Sequence, residues 1–215
     1  MKTIFVHARS KLDIMPAVRK VKADKKFGIV TTVQHLGKMK EVLALFPDSI
    51  IGGQVLGCDV SVAEKIKSKV DAFLFIGSGR FHPLQIAYAT GKDVYCADPY
   101  NDAVKIITSK DVEQWRKRTQ GAFLKFLSAS RIGILVSMKS GQGSMREAEA
   151  FMDSTGKEAF LFLSDTLDFS ELENFPDIEC WVNTACPRIG YDDTKRISKP
   201  IINLDDLENL LDGQQ

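Results

Sequence analysis

Short apolar runs alternate along this chain with stretches whose apolar residues return every three or four positions. Phe27-Gly-Ile-Val-Thr31 reads as a strand. Residues 35–46 follow, with Leu36, Met39, Val42, Leu43 and Phe46 forming the stripe of an amphipathic helix. Ser49-Ile-Ile51 leads into a turn-like segment, residues 62–69 read as another helix, and Ala72-Phe-Leu-Phe-Ile76 as a strand buried on both faces. A short helix after Pro83 and a strand over residues 93–97 complete the unit. Near-continuous apolar strands separated by helices predict a parallel sheet covered on both sides, because a sheet with one wet face would alternate instead.

The second half repeats the scheme. Ile132-Gly-Ile-Leu-Val136 answers Phe27-Gly-Ile-Val-Thr31, with Gly133 lying 105 positions after Gly28. Ile178-Glu-Cys-Trp-Val182 answers Ala72-Phe-Leu-Phe-Ile76, which sets Trp181 106 positions after Phe75. An internal duplication accounts for both. The predicted fold class is α/β: two similar Rossmann-like domains with parallel sheets flanked by helices, at residues 25–110 and 111–215. A helix over residues 111–130 connects them and belongs to the second, with Trp115, Phe123, Phe126 and Leu127 expected to pack a shared interface. Residues 204–211 read as a terminal helix.

Composition narrows the class without naming a function. The 215 residues are 44% hydrophobic, which suits one large or two small globular cores, and the formal charge of +1 argues against a strong field. Arg19, Lys20, Lys22, Lys25 and Lys26 cluster as a solvated helix end would, so direct nucleic-acid binding is not expected. No apolar run approaches the length of a membrane span and the first residues lack the apolar core of a secretion signal, so the expected location is cytoplasmic.

In that setting the four cysteines argue against a disulfide framework and leave metal binding, catalysis or simple burial. Cys58, in Gly57-Cys-Asp59, and Cys186, in Thr184-Ala-Cys-Pro187, sit where a parallel strand hands over to a loop, the edge at which open α/β sheets assemble their sites. Pro187 denies a continuing strand and fixes the departing backbone. Taken alone, both cysteines read first as small buried loop residues, with ligation as the alternative. Cys96 and Cys180 lie within alternating strand sequence and read as packing residues. Other strand-exit loops carry groups that handle charged small molecules. Gly77-Ser78-Gly79 and Gly141-Gln142-Gly143-Ser144 expose backbone N–H groups suited to a carboxylate or phosphate, Lys139 and Arg188 supply cations, and His35 and His82 stand at loop-to-helix junctions.

The two cysteine loops, together with Thr31-Thr-Val-Gln-His35, Phe75-Ile-Gly-Ser-Gly-Arg-Phe-His-Pro83 and Val136-Ser-Met-Lys-Ser-Gly-Gln142, resemble the second and third domains of the diphthamide synthase family. On that resemblance residues 1–24 are the remnant of a first domain. The resemblance implies a 4Fe-4S cluster with Cys58 and Cys186 as ligands. It further implies S-adenosylmethionine as co-substrate, positioned by Gly77, Ser78, Gly79, Lys139, Gln142 and Arg188. The implied reaction is a radical transfer, of a noncanonical type, of the 3-amino-3-carboxypropyl group to a histidine of the translocating elongation factor. Implied partners are that factor, an electron donor, and a second copy or companion subunit supplying a third cysteine. The rival readings are a regulatory subunit or a small-molecule binding protein that keeps the scaffold without the cluster.

Overall fold

The computed structural model describes residues 4, 6, 8–57, 59–139 and 145–213. The chain divides into two compact units, Met1–Glu113 and Gln114–Gln215.

In the first unit, strands β1 (Phe27–Thr31), β2 (Ile50–Gln54), β3 (Ala72–Ile76), β4 (Val94–Asp98) and β5 (Ala103–Ile107) form one sheet in the order β2-β1-β3-β4-β5. The first four are parallel and β5 folds back antiparallel on β4. Every residue of β1 and β3 is buried, which explains their unbroken apolar character. One face is covered by α1 (Met15–Val18) and α2 (Met39–Leu45): Ile14, Ala17, Val18, Met39 and Val42 pack on Phe27, Ile29, Leu74 and Ile76. Residues 14–21, ahead of the first strand, thus belong to this core. Two predicted helices are shorter than expected. The first turn of residues 35–46 is a 3-10 helix at Leu36–Lys38, and residues 62–69 break into α3 (Ser61–Glu64) and a 3-10 turn at Lys67–Lys69. After β3 comes α4 (Phe81–Thr90), which carries Pro83 in its first turn, where no backbone donor is needed.

Helix α5 (Ser109–Ser128) leads to the second unit and begins with a carboxylate cap, the Thr108 N–H and Oγ1 both donating to Asp111 Oδ2, at 2.9 and 3.0 Å. Phe123 and Phe126 pack into the core of the second unit, Trp115 stacks on Tyr191 with centroids 4.5 Å apart, and Leu127 is exposed. The second sheet is all parallel: β6 (Arg131–Ser137), β7 (Glu158–Ser164), β8 (Cys180–Asn183) and β9 (Ile201–Asn203), in the order β7-β6-β8-β9. Helices α6 (Met145–Ser154), α7 (Arg188–Tyr191) and α8 (Leu204–Asp212) complete it.

The order β2-β1-β3-β4 recurs as β7-β6-β8-β9. The repeat has one correction to the alignment read from sequence. Gly28 pairs with Phe73 and Gly133 with Trp181, so Trp181 answers Phe73 and not Phe75. The slip is two residues, which leaves every side chain on the same face and is therefore silent in the hydrophobic pattern. Both glycines exist for the same reason: a Cβ at Gly28 would lie 2.6 Å from the Phe73 ring, and one at Gly133 2.2 Å from Trp181.

Candidate functional site

Strand β8 ends at Asn183, and the chain then turns through Thr184-Ala185-Cys186-Pro187 into α7. The turn is tied to the neighbouring strand by Thr184, whose N–H and Oγ1 both donate to the Leu135 carbonyl, at 3.0 and 2.9 Å. Ala185 and Cys186 rest against the apolar cluster that contains Phe169 and Ile189, leaving Cys186 half-buried. Its side chain opens on a cleft of about 160 Å³. The walls come from the C-terminal ends of three adjacent parallel strands: Ser137 closing β6 and Lys139 beyond it, Asp165 and Thr166 after β7, Ala185 and Cys186 after β8. This is the edge where parallel sheets gather ligands, since all strands release their loops on the same side. The Lys139 N–H donates to Ser137 Oγ at 3.2 Å and the Met138 N–H to the Ser164 carbonyl at 3.0 Å, which holds the two exits together. An exposed ammonium, a thiol and a carboxylate thus share one small cleft whose remaining walls include Leu167, Phe169 and Ile189.

The other predicted residues are placed as follows. Arg188 is not among the cleft-lining residues; its Nε and Nη2 both lie 3.0 Å from Asp192 Oδ2, one turn along the same segment. Gly77 donates its N–H to the Ala97 carbonyl at 3.1 Å, so that amide serves the sheet, whereas Ser78 and Gly79 are exposed ahead of α4. Cys58, Gly141, Gln142, Gly143 and Ser144 lie outside the described residues. On either side of position 58, Leu56 and Asp59 exchange backbone hydrogen bonds at 2.9 and 3.3 Å. Asp59 Oδ1 accepts the Ser61 N–H at 2.9 Å, and that bond holds the carboxyl below its usual range. His82 stacks on Phe75 with ring centroids 5.7 Å apart, and its Nε2 lies 3.7 Å from where a Cβ of Gly57 would stand. His35 is 2% exposed, and among the described residues its Nδ1 has no hydrogen-bond partner; burial first, and Lys38 second, push its pKa down, so the ring is neutral at physiological pH.

The remaining cysteines differ from Cys186 in environment. Cys96 and Cys180 point into strand cores, and burial pushes each thiol up to about 12. Their S–H groups face the backbone carbonyls of Val94 (3.6 Å) and Ala122 (3.9 Å). Such thiols stay protonated and are poor ligands for a metal, which needs the thiolate. Among the described residues no three Cys, His, Asp or Glu side chains converge. Cys186 therefore suits a site that draws a single thiolate from this loop. Asp165 and Thr166 follow the apolar run Ala159-Phe-Leu-Phe-Leu163, the one local signal in the sequence that marks them as a strand exit.

The chain is similar to known proteins along its whole length. The family model described as "Putative diphthamide synthesis protein" matches residues 1–215. A Pyrococcus horikoshii protein named 2-(3-amino-3-carboxypropyl)histidine synthase is 35% identical, over 97% of this chain and 65% of its own length. A Caenorhabditis elegans relative named subunit 1 of that synthase is 27% identical, over 98% of this chain and 57% of its own length. The crystal structure of Dph2 from Pyrococcus horikoshii with a 4Fe-4S cluster superposes with a TM-score of 0.79 at 32% identity, over 96% of this chain and 64% of that one. The chain spans 57 to 65% of the length of the two named relatives. With a family match over the whole of its length, the chain belongs to the diphthamide synthesis protein family.

Proposed function

We propose that this chain carries two of the three cysteine loops of a 2-(3-amino-3-carboxypropyl)histidine synthase, with Cys58 and Cys186 as ligands of a 4Fe-4S cluster and a third thiolate supplied by a further segment or a companion subunit. The observation that carries the reading is the contrast among the described cysteines. Cys186 opens on a cleft at the C-terminal edge of its sheet beside Lys139, while Cys96 and Cys180 are sealed in strands. The cluster-bearing Pyrococcus relative and the subunit naming of the Caenorhabditis relative support the same reading.

The reaction is transfer of the 3-amino-3-carboxypropyl group of S-adenosylmethionine to the imidazole of a histidine on the translocating elongation factor. When bound, the cluster supplies an electron from an external donor and an iron left open by three-thiolate coordination. The chain's own residues bind and orient. The Lys139 ammonium in the cleft neutralises the carboxylate of the methionine portion, and the exposed Ser78–Gly79 segment and Gln142 are candidate donors to its polar groups. Arg188, whose Nε and Nη2 face Asp192 Oδ2, is a further candidate cation for that carboxylate. Phe169 and Ile189, behind Cys186, exclude water from the thiolate side.

The test is anaerobic reconstitution with iron and sulfide, alone and with any companion recovered from the source, followed by iron analysis and spectra. About four irons per assembly are expected, from the four-iron cluster type. Cys58→Ala and Cys186→Ala should abolish the absorbance and the cleavage of S-adenosylmethionine, and Cys96→Ala and Cys180→Ala should retain both. Equal behaviour of all four variants, or a colourless protein throughout, would overturn the assignment in favour of a binding or regulatory subunit.

A further inference from the structure

Asn183 ends β8 and Asn203 ends β9; they are paired in the sheet and are 2% and 4% exposed. Asn183 Nδ2 donates to Asn203 Oδ1 at 2.7 Å and to the Cys186 carbonyl at 3.1 Å, and its Oδ1 accepts the Ala185 N–H at 3.2 Å. Asn203 Nδ2 donates to the Pro187 carbonyl at 3.1 Å and to Asp206 Oδ2 at 3.3 Å. The Tyr191 hydroxyl donates to that same Asp206 oxygen at 2.6 Å. Two buried amides thereby hold one backbone group on each of three consecutive residues: the N–H of Ala185, the carbonyl of Cys186 and the carbonyl of Pro187.

The molecule contains its own control. Along equivalent rungs, Val30–Phe75–Cys96 in the first sheet corresponds to Leu135–Asn183–Asn203 in the second. Where the second unit buries two amides, the first buries an aromatic ring and a protonated thiol, so this fold does not need polar groups at that rung. Buried amides are tolerated only when fully partnered, and here the partners are the cysteine turn. A second local preference is also set aside. Asn203 occupies the N-cap of α8, a position its side chain favours for capping, yet it makes no capping bond and turns to Pro187 instead. Gly190 leaves room for this arrangement: a Cβ there would lie 2.4 Å from Asn203 Oδ1.

We infer that Asn183 and Asn203, braced by Asp206 and Tyr191, are positioning residues for Cys186: they set the backbone of the Ala185–Pro187 turn and thereby the direction in which the thiol is offered. The inference rests on the reading of Cys186 as a ligand. Its test begins with the unloaded full chain. Asn203→Ala should raise hydrogen exchange in residues 185–190 about tenfold, the loss of roughly one to two net hydrogen bonds. Iodoacetamide should alkylate Cys186 severalfold faster in the same variant. Gly190→Ala should reproduce both effects by displacing the Asn203 amide without deleting it. Tyr191→Phe, which keeps the ring on Trp115, should give a smaller change. The discriminating variant is Asn183→Leu with Asn203→Val, an apolar pair like that of the first unit. It removes both partners of the Asn183–Asn203 bond but leaves the Ala185 N–H, the Cys186 and Pro187 carbonyls and Asp206 Oδ2 without their amide partners, so exchange at 185–190 should rise by a larger factor than exchange in β6. In the reconstituted protein the same variant should shift the electron paramagnetic resonance spectrum at wild-type iron content.

Exchange at 185–190 that stays at the wild-type rate, or that rises only by the factor seen in β6, overturns the inference. So does an unaltered spectrum in the apolar double variant. If wild-type protein takes up no iron, the ligand reading fails, while exchange and alkylation still decide whether the amides position the thiol.

Discussion

Gly133→Ala tests the close approach on which the second core is built. The added Cβ would lie 2.2 and 2.4 Å from Cζ3 and Cε3 of Trp181 and 3.1 Å from the Phe162 ring. Carbon atoms rest about 3.5–4.0 Å apart, so the indole must withdraw by more than an ångström. It has nowhere to go: Trp181 is fully buried, meets Phe162 edge-on with centroids 4.9 Å apart, and belongs to a cluster that also holds Leu135, Phe169 and Ile178. Overpacking of this kind costs roughly 1–3 kcal/mol, against a gain of about 0.5–1 kcal/mol from replacing a strand glycine. The expected net loss is about 1–2 kcal/mol, a fall of roughly 1 M in the urea midpoint. Both tryptophans of the chain, Trp115 and Trp181, lie within the unit Gln114–Gln215, so tryptophan fluorescence reports the relevant transition. Pairing Gly133→Ala with Trp181→Leu should recover at least about 1 kcal/mol in a double-mutant cycle, with Trp115 still reporting. Additive effects, or a single variant as stable as wild type, would refute the steric argument.

Three further outcomes follow from the same structure. Gly28→Ala should destabilise the first unit, less than its counterpart does the second, because the clash with Phe73 is 2.6 Å and also falls on the movable end of Ile66; circular dichroism during urea unfolding checks this. Iodoacetamide at pH 8, followed by peptide mapping, should modify Cys186 and spare Cys96 and Cys180, whose thiols, pushed up to about 12 by burial, stay protonated until far higher pH or unfolding. Asp111→Asn should cost about 1 kcal/mol at pH 7 through loss of the charge-assisted cap at the start of α5. The bond from the Thr108 N–H lowers the folded carboxyl pKa, so this stability is present above the unfolded value and lost as pH falls through the folded one. Wild type and variant should therefore converge in acid, which pH-dependent thermal unfolding would show.

The parts of this molecule legible in its sequence are those decided by local composition. β1, β3 and β6 could be read because they are buried on both faces and their apolar runs are unbroken, and α5 because its apolar stripe persists over five turns. The same logic explains the strands that were missed. β9 has three residues, β5 exists only because β4 offers it a partner, and β7, although its Ala159–Leu163 run is apolar throughout, is a half-exposed edge strand. For the site, residue type placed four cysteines on a short roster of candidates, but a thiol's chemistry is set by what surrounds it. Cys96 and Cys186 are the same residue until one is sealed inside a strand and the other is left at the mouth of a cleft. Asp165 reaches that cleft through the pairing of β7 with β6, and Asn203 reaches Pro187 through the pairing of β9 with β8. The local pattern determined which segments would be strands and helices; the order in which the strands lie side by side, a property of long-range burial, decided which loops meet and therefore which side chains share a site.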